Sequence, residues 1–327
     1  MDKDDLILIT GAGGFIGGHL AAELWRQGYR NLRTVDRKPL SSWYQLFEGM
    51  DNRVLDLTKL DSCLNAAEGA AYVFNFAADM GGMGFIENSK ALCMLSVLTS
   101  THMLVAARDM GAKRFFYASS ACVYNATKQS AVEAVPLSED AAYPAMPEDG
   151  YGWEKLFSER MARHFTEDFG LETRVARYHN IYGPHGTYDG GREKAPAAVC
   201  RKVILAKLSG KHEIEIWGDG EQTRSFTYIE DCLDGTLRLM LSAVGEPLNI
   251  GSDQLVTINQ LVALAEDIAG VKLKRKYKLD APQGVRGRNS DNTRIKRELG
   301  WAPQVGLADG LSRTYAWIYD RVISSSR

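Results

Sequence analysis

Ile9-Thr-Gly11-Ala-Gly-Gly14-Phe-Ile-Gly17 joins an apolar run, Leu6 to Ile9, to a stretch with helical periodicity, Phe15 to Gln27. Glycines at 11, 14 and 17 permit a tight turn, close approach of the backbone to a pyrophosphate, and close packing of helix on sheet. The free N–H groups at the start of the helix then face the phosphates. Gly11, Gly14, Phe15, Ile16 and Gly17 are therefore the first candidate cofactor contacts. Such turns also occur for purely structural reasons. The position between a strand and a helix is what points to a dinucleotide.

Working outward, Leu32 to Val35 reads as the next strand, and Asp36 ends it, 19 residues after Gly17. A carboxylate there hydrogen-bonds a ribose diol and repels a 2′-phosphate, which favours NAD over NADP. Arg37 beside it keeps NADP open, and Asp56 suits either the adenine end or a helix cap. Further strands are expected at 54–55, 72–75, 115–117 and 173–176, with helices at about 88–110 and 151–169. The strands lack polar alternation, so the expected fold is α/β: a Rossmann-type doubly wound parallel sheet covered on both faces. After about residue 180 glycines, prolines and charges cluster, and the elements shorten. Residues 1–180 are read as the NAD-binding domain, with some later segments returning to it, and 181–327 as mainly a smaller C-terminal substrate-binding lobe.

A chain of 327 residues can bury a substantial core. Its net charge of −2 gives no reason to expect nucleic acid as a partner. No apolar run is expected to approach the ~20 residues that span a bilayer, and the acidic start, Met1 to Asp5, does not read as a signal peptide. Cysteines 63, 93, 122, 200 and 232 form no C-x-x-C pair, so no metal site and no disulfide framework is expected, and the cytoplasm is the natural setting. All but Cys122 fall in helix-like segments and read as packing residues.

Tyr151 and Lys155 lie four apart on one helix face. The lysine can lower the phenol's pKa and hold a cofactor ribose. With Gly11-x-x-Gly14-x-x-Gly17, Asn75-Phe-Ala77-Ala, Ser119-Ser120 and Gly218-Asp-Gly-x-x-x-Arg224 in this order, the chain resembles the extended short-chain dehydrogenases/reductases that act on nucleotide sugars. The blocks Ala77 to Phe85, Ser119 to Tyr124, Gly190 to Ala198, Trp217 to Phe226 and Gly284 to Ser290 narrow the resemblance to the 3,5-epimerase branch that acts on GDP-mannose.

That resemblance implies a set of roles. Tyr151, with Lys155 and Ser120, would serve oxidation at C4 with bound NAD. Ala77 would line the cofactor site. Cys122 stands where related dehydratases carry an acid pair, and it would exchange the C5 proton. Lys194 would act as the acid on the opposite sugar face. Gly82, Met83, Asn180, Glu193, Lys202, Gln222, Arg224 and Arg286 would bind sugar or diphosphate. Arg288 suits either a second phosphate contact or part of the loop's charge. The implied product is GDP-L-galactose, with GDP-L-gulose as companion, and the implied assembly is a homodimer through the helices at 88–110 and 151–169. A 4-epimerase would need neither Cys122 nor Lys194, and a fucose-synthase-like enzyme would consume NADPH. A deoxysugar or heptose epimerase is not separated from this reading, because sugar ring substituents leave faint traces in sequence. For a non-catalytic dinucleotide sensor, the Ser120-Tyr151-Lys155 set with Cys122 and Lys194 is more than sensing requires.

Overall fold

The computed structural model describes residues 1–325. The first half alternates strand and helix: β1 (Leu6–Thr10), α1 (Phe15–Arg26), β2 (Leu32–Asp36), β3 (Asp51–Val54), α2 (Leu60–Ala67), β4 (Ala70–Asn75), α3 (Met83–Asn88), α4 (Lys90–Met94), α5 (Ser96–Asp109), β5 (Arg114–Ser120), α6 (Tyr151–Phe169) and β6 (Glu172–Tyr178). Shorter elements follow: β7 (Ile181–Tyr182), α7 (Ala195–Ser209), β8 (Glu213–Trp217), β9 (Thr223–Ser225), β10 (Thr227–Tyr228), α8 (Ile229–Leu241) and β11 (Leu248–Ile250). The chain ends with β12 (Leu255–Thr257), α9 (Ile258–Ala269), β13 (Lys274–Lys278), β14 (Gly287–Arg288), α10 (Thr293–Leu299) and α11 (Leu307–Ser325).

One sheet dominates, in the order β11-β6-β5-β4-β1-β2-β3, with every pair parallel. Its central strands send alternate residues to two different cores. Ile7, Ile9, Phe74 and Phe116 face one, while Leu8, Val73, Phe115 and Tyr117 face the other. Both faces are dry, which is why these strands carry no polar alternation. The strand order reverses between β1 and β4. Ligands of open α/β sheets sit at that switch, beyond the carboxyl ends of the strands. The glycine turn after β1 and Ala77 after β4 flank it. β11 joins the same sheet beside β6 after crossover helix α8.

Two expectations need correction. The helix at 88–110 is interrupted at Ser89 and at Leu95, which separate α3, α4 and α5. In addition, Lys90–Asp109 is long and apolar enough, at mean hydropathy 1.4, to meet the length and composition of a membrane span. Its small and apolar residues have a use within the fold: Met103, Leu104, Ala106 and Ala107 belong to the core beneath the sheet. Leu92, Met94, Leu95 and Leu98 stay exposed.

Candidate active site

The turn after β1 is shaped by close contact. A Cβ on Gly17 would come within 2.5 Å of the Gly11 carbonyl oxygen, so only glycine lets α1 begin there. No side chain caps α1, leaving its first N–H groups to a ligand. The turn borders a cleft of about 450 Å³ that gathers every residue assigned to the cofactor: Gly11, Gly14, Phe15, Ile16, Gly17, Asp36, Asp56, Ala77, Tyr151 and Lys155. Asp36 is buried at its wall and accepts the Lys38 N–H at 3.0 Å. An uncapped helix end, a buried carboxylate at the end of β2 and a tyrosine–lysine pair suit a dinucleotide with a free ribose diol. Arg37, whose position beside Asp36 keeps NADP open in the sequence, is instead paired with Asp79 at 3.0 Å. Asp56 accepts from the Thr58 N–H and hydroxyl, which is a helix-entry turn at the cleft's rim.

Ser120 and Lys194 line this cleft together with Tyr151 and Lys155. Ser120 ends β5, and its hydroxyl accepts the Cys122 N–H at 3.2 Å, capping the short turn Ala121–Val123 that carries the thiol. The neighbouring Ser119 donates to Glu159, which also holds Arg177 in a buried ion pair. Helix α6 begins at Tyr151 against this turn. A Cβ on Gly152 would lie 2.4 Å from the Cys122 carbonyl oxygen, so glycine at 152 sets how closely tyrosine and thiol approach.

The electrostatics of Tyr151 differ from expectation. Burial pushes its phenol well above the ordinary range, with the Ser120 hydroxyl opposing. Lys155 Nζ lies 3.5 Å from Glu154 Oε2 and 5.5 Å from the centre of the Tyr151 ring. The lysine's charge is therefore directed mainly at Glu154, a buried carboxylate that also accepts from Ser100, Tyr117 and Ser158. Nothing in the sequence distinguished this glutamate from a surface residue of a helix.

Cys122 is buried beside Tyr151. Loss of hydration and the Glu148 carboxylate push its thiol up to about 11, while the Arg288 guanidinium and Ser120 hydroxyl oppose. Lys194, at the head of α7, has its pKa lowered by burial, with Cys122 and Cys232 opposing.

The residues assigned to sugar and diphosphate are not drawn into the cleft. Gly82 precedes and Met83 begins α3, packed on Glu193 and Gly284 respectively. Asn180, at a left-handed φ of 47°, donates to the Ser225 carbonyl. Lys202 donates to the Glu215 carbonyl and lies 5.7 Å above the Trp217 ring. Gln222 donates to the Trp217 carbonyl, leaving its side-chain amide oxygen buried and unpartnered, and Glu193 Oε2 is likewise unpartnered. Arg224 donates to the carbonyls of Thr223, Gln283 and Val285, and Arg286 forms a two-pronged pair with Asp219 at 2.8 Å. The Arg288 guanidinium is buried against Cys122 and Glu148.

Comparison with known proteins agrees with this geometry. Residues 7–251 match the NAD dependent epimerase/dehydratase family. GDP-mannose 3,5-epimerase 1 of Oryza sativa subsp. japonica is 48% identical over 317 residues, covering 97% of this chain and 82% of the relative. UDP-glucose 4-epimerase of Thermotoga maritima, solved with UDP-glucose, superposes with a TM-score of 0.86 at 26% identity, covering 97% of this chain and 99% of its own. MoeE5, in complex with UDP-glucuronic acid and NAD, does so with a TM-score of 0.81 at 28% identity over the same shares. The glycine turn at the switch point and the tyrosine–lysine pair facing it fit what these likenesses indicate, and the chain belongs to the NAD dependent epimerase/dehydratase family.

Proposed function

We propose that the protein is a GDP-mannose 3,5-epimerase, converting GDP-D-mannose to GDP-L-galactose, with GDP-L-gulose as the C5-only product. The observation that carries this reading is the 48% identity over nearly the whole chain to an enzyme of that name, with Cys122 packed beside Tyr151 and Lys194 lining the same cleft as that tyrosine. A simple 4-epimerase has no use for that thiol and ammonium.

When bound, NAD supplies the reversible hydride acceptor that makes C4 of the sugar a ketone and later restores it. Gly11, Gly14 and the head of α1 would hold its pyrophosphate, Asp36 its adenosine ribose, and Lys155 its nicotinamide ribose. Tyr151 removes the proton of the C4 hydroxyl, with Ser120 orienting that oxygen. Its raised pKa disfavours the phenolate in the empty site, so substrate binding must bring Lys155 closer to the phenol or relieve its desolvation. The hydrogens at C3 and C5 are acidic beside a C4 carbonyl. Cys122 takes one as its thiolate becomes a thiol, and Lys194 delivers a proton from its ammonium to the other face. The lowered pKa of Lys194 suits it to giving a proton up.

Residues 1–180 bind the dinucleotide in this reading, with β11 and α8 returning to them, and 181–327 supply most of the nucleotide-sugar site. Exposed Leu92, Leu95 and Leu98 beside α6, together with exposed Trp153 and Phe157 on α6, support a homodimer through these helices. Five free cysteines support the cytoplasm as its compartment.

The test is incubation with GDP-mannose and catalytic NAD in D₂O. Deuterium at C5, or at C3 and C5, without accumulating NADH is the expected result. Inversion at C4 with no ring deuterium would sink the 3,5-epimerase reading.

A further inference from the structure

Arg288 places its guanidinium in an unusual setting. It lies on β14, paired beside Arg224 of β9, and is buried. Nε donates to Gln129 Oε1 at 2.7 Å, Nη2 pairs with Glu148, and Nη1 points at Cys122 Sγ at 3.6 Å. Gln129 and Glu148 alone would satisfy a buried structural arginine. The third contact brings a permanent cation to a thiol that desolvation otherwise keeps protonated. Glu148, in the loop before α6, is tied to the same turn, its N–H donating to the Cys122 carbonyl at 3.0 Å, and its carboxylate raises the thiol's pKa.

The other groups around the thiol are accounted for. Tyr151 of α6 and Cys93 of α4 lie in its apolar cluster, and Ser120 caps its turn. Arg224 and Lys194 sense its charge from β9 and the head of α7. The three cations are not equivalent: Arg224 is held by backbone carbonyls, Lys194 faces the cleft, and Arg288 touches the sulfur.

We propose that Arg288 and Glu148 are positioning residues that act on Cys122 in opposite senses, the guanidinium holding the sulfur when it is a thiolate and the carboxylate favouring its return to a thiol. Under the epimerase reading, on which the catalytic use of this device rests, the thiolate takes a carbon-bound proton. The C–H electron pair passes into the enolate, and the new S–H gives up its charge-assisted bond to Arg288. Reversal then costs little, because Glu148 keeps the thiolate from being overstabilised. A residue that must both take and return protons needs that balance.

The experiment is alkylation of Cys122 in the full-length protein by iodoacetamide at about pH 8, followed by mass spectrometry on the peptide that carries it. There the rate scales with the thiolate fraction. Glu148→Gln should alkylate about tenfold faster than the natural protein and Arg288→Gln about tenfold slower, with Arg288→Lys within about threefold, because only the two neutral substitutions change the charge beside the sulfur. A merely structural pair is broken by either neutral substitution, so rates that move in the same direction, or not at all, overturn the proposal. Should Arg288→Gln fail to fold, the near-isosteric Glu148→Gln decides alone: no acceleration refutes it. Alkylation does not depend on which sugar is the substrate, so its failure and that of the epimerase reading are separately visible.

Discussion

The cofactor side and the sugar side of the site are built by different means. On the cofactor side, ten assigned residues converge on one cleft because backbone geometry puts them there: a glycine turn, the ends of parallel strands and the head of a helix. On the sugar side, charged side chains already have partners inside the protein, such as Asp219 for Arg286 and backbone carbonyls for Arg224. The first is a shape waiting for a ligand. The second is a set of contacts a ligand must exchange, at a cost for each desolvated partner. One side should therefore respond to substitution in rate and stability, the other in KM.

The largest effect should follow Tyr151→Phe. Loss of its proton transfer is expected to lower turnover by about 10²–10⁴-fold, with thermal stability and NAD binding held. A fall of less than about tenfold, followed by NMR of the sugar, would remove the chemistry from the cofactor side.

Next in size is the pair beneath that side. Arg177 and Glu159 are both buried, and Glu159 steadies Ser119 next to Ser120. Arg177→Met should cost about 3–5 kcal/mol in denaturant unfolding, because it leaves a carboxylate buried and uncompensated. Arg286→Ala, across the comparison, should stay within about 0.5 kcal/mol. Equal losses would erase the distinction between the two sides.

Acid should act at the seam between them. His19 of α1 pairs with the Pro184 carbonyl at 2.8 Å, and burial lowers its pKa to about 4; His179 is lowered to about 3 by the same cause. The unfolded chain protonates these rings near pH 6.5 and the folded one does not. Stability is therefore full above about pH 6.5 and falls as pH drops toward 4. Denaturant midpoints at pH 7 and pH 5 should differ, and less so in His19→Gln. A midpoint that rises on acidification would contradict the burial of both rings.

The smallest effect belongs to the half-buried Arg286–Asp219 pair. Arg286 holds Asp219 down to about 2, so the pair is ionised throughout the neutral range. Arg286→Ala should raise KM for the nucleotide sugar by about tenfold at nearly constant kcat, as loss of one charge-assisted contact implies. Asp219→Asn should leave KM unchanged or lower it, by releasing the guanidinium. A fall in kcat of the same size would place Arg286 at the reacting carbons instead.

The parts readable from sequence were those set by near neighbours in the chain. The glycine turn, Asp36 at a strand end, and Tyr151 four residues before Lys155 depend on local spacing, and so they line one cleft. Alternation of strands and helices likewise implied the parallel sheet, because both its faces are dry. The break at Leu95 was not visible, since Leu92 to Leu98 has no proline or glycine to mark it.

Pairings across long separations were settled only by folding. Arg288 meets Cys122 across 166 positions, and its neighbour Arg286 turns instead to Asp219, though the two lie side by side in one basic loop. Strand periodicity sends both to the same face, but composition cannot say which guanidinium is buried and which stays in water. Glu154 likewise captures Lys155, where helical spacing alone suggested a partnership with Tyr151. Local sequence sets backbone conformation through sterics and hydrogen bonding. The charge a buried group carries depends on which distant partners replace the water it has lost.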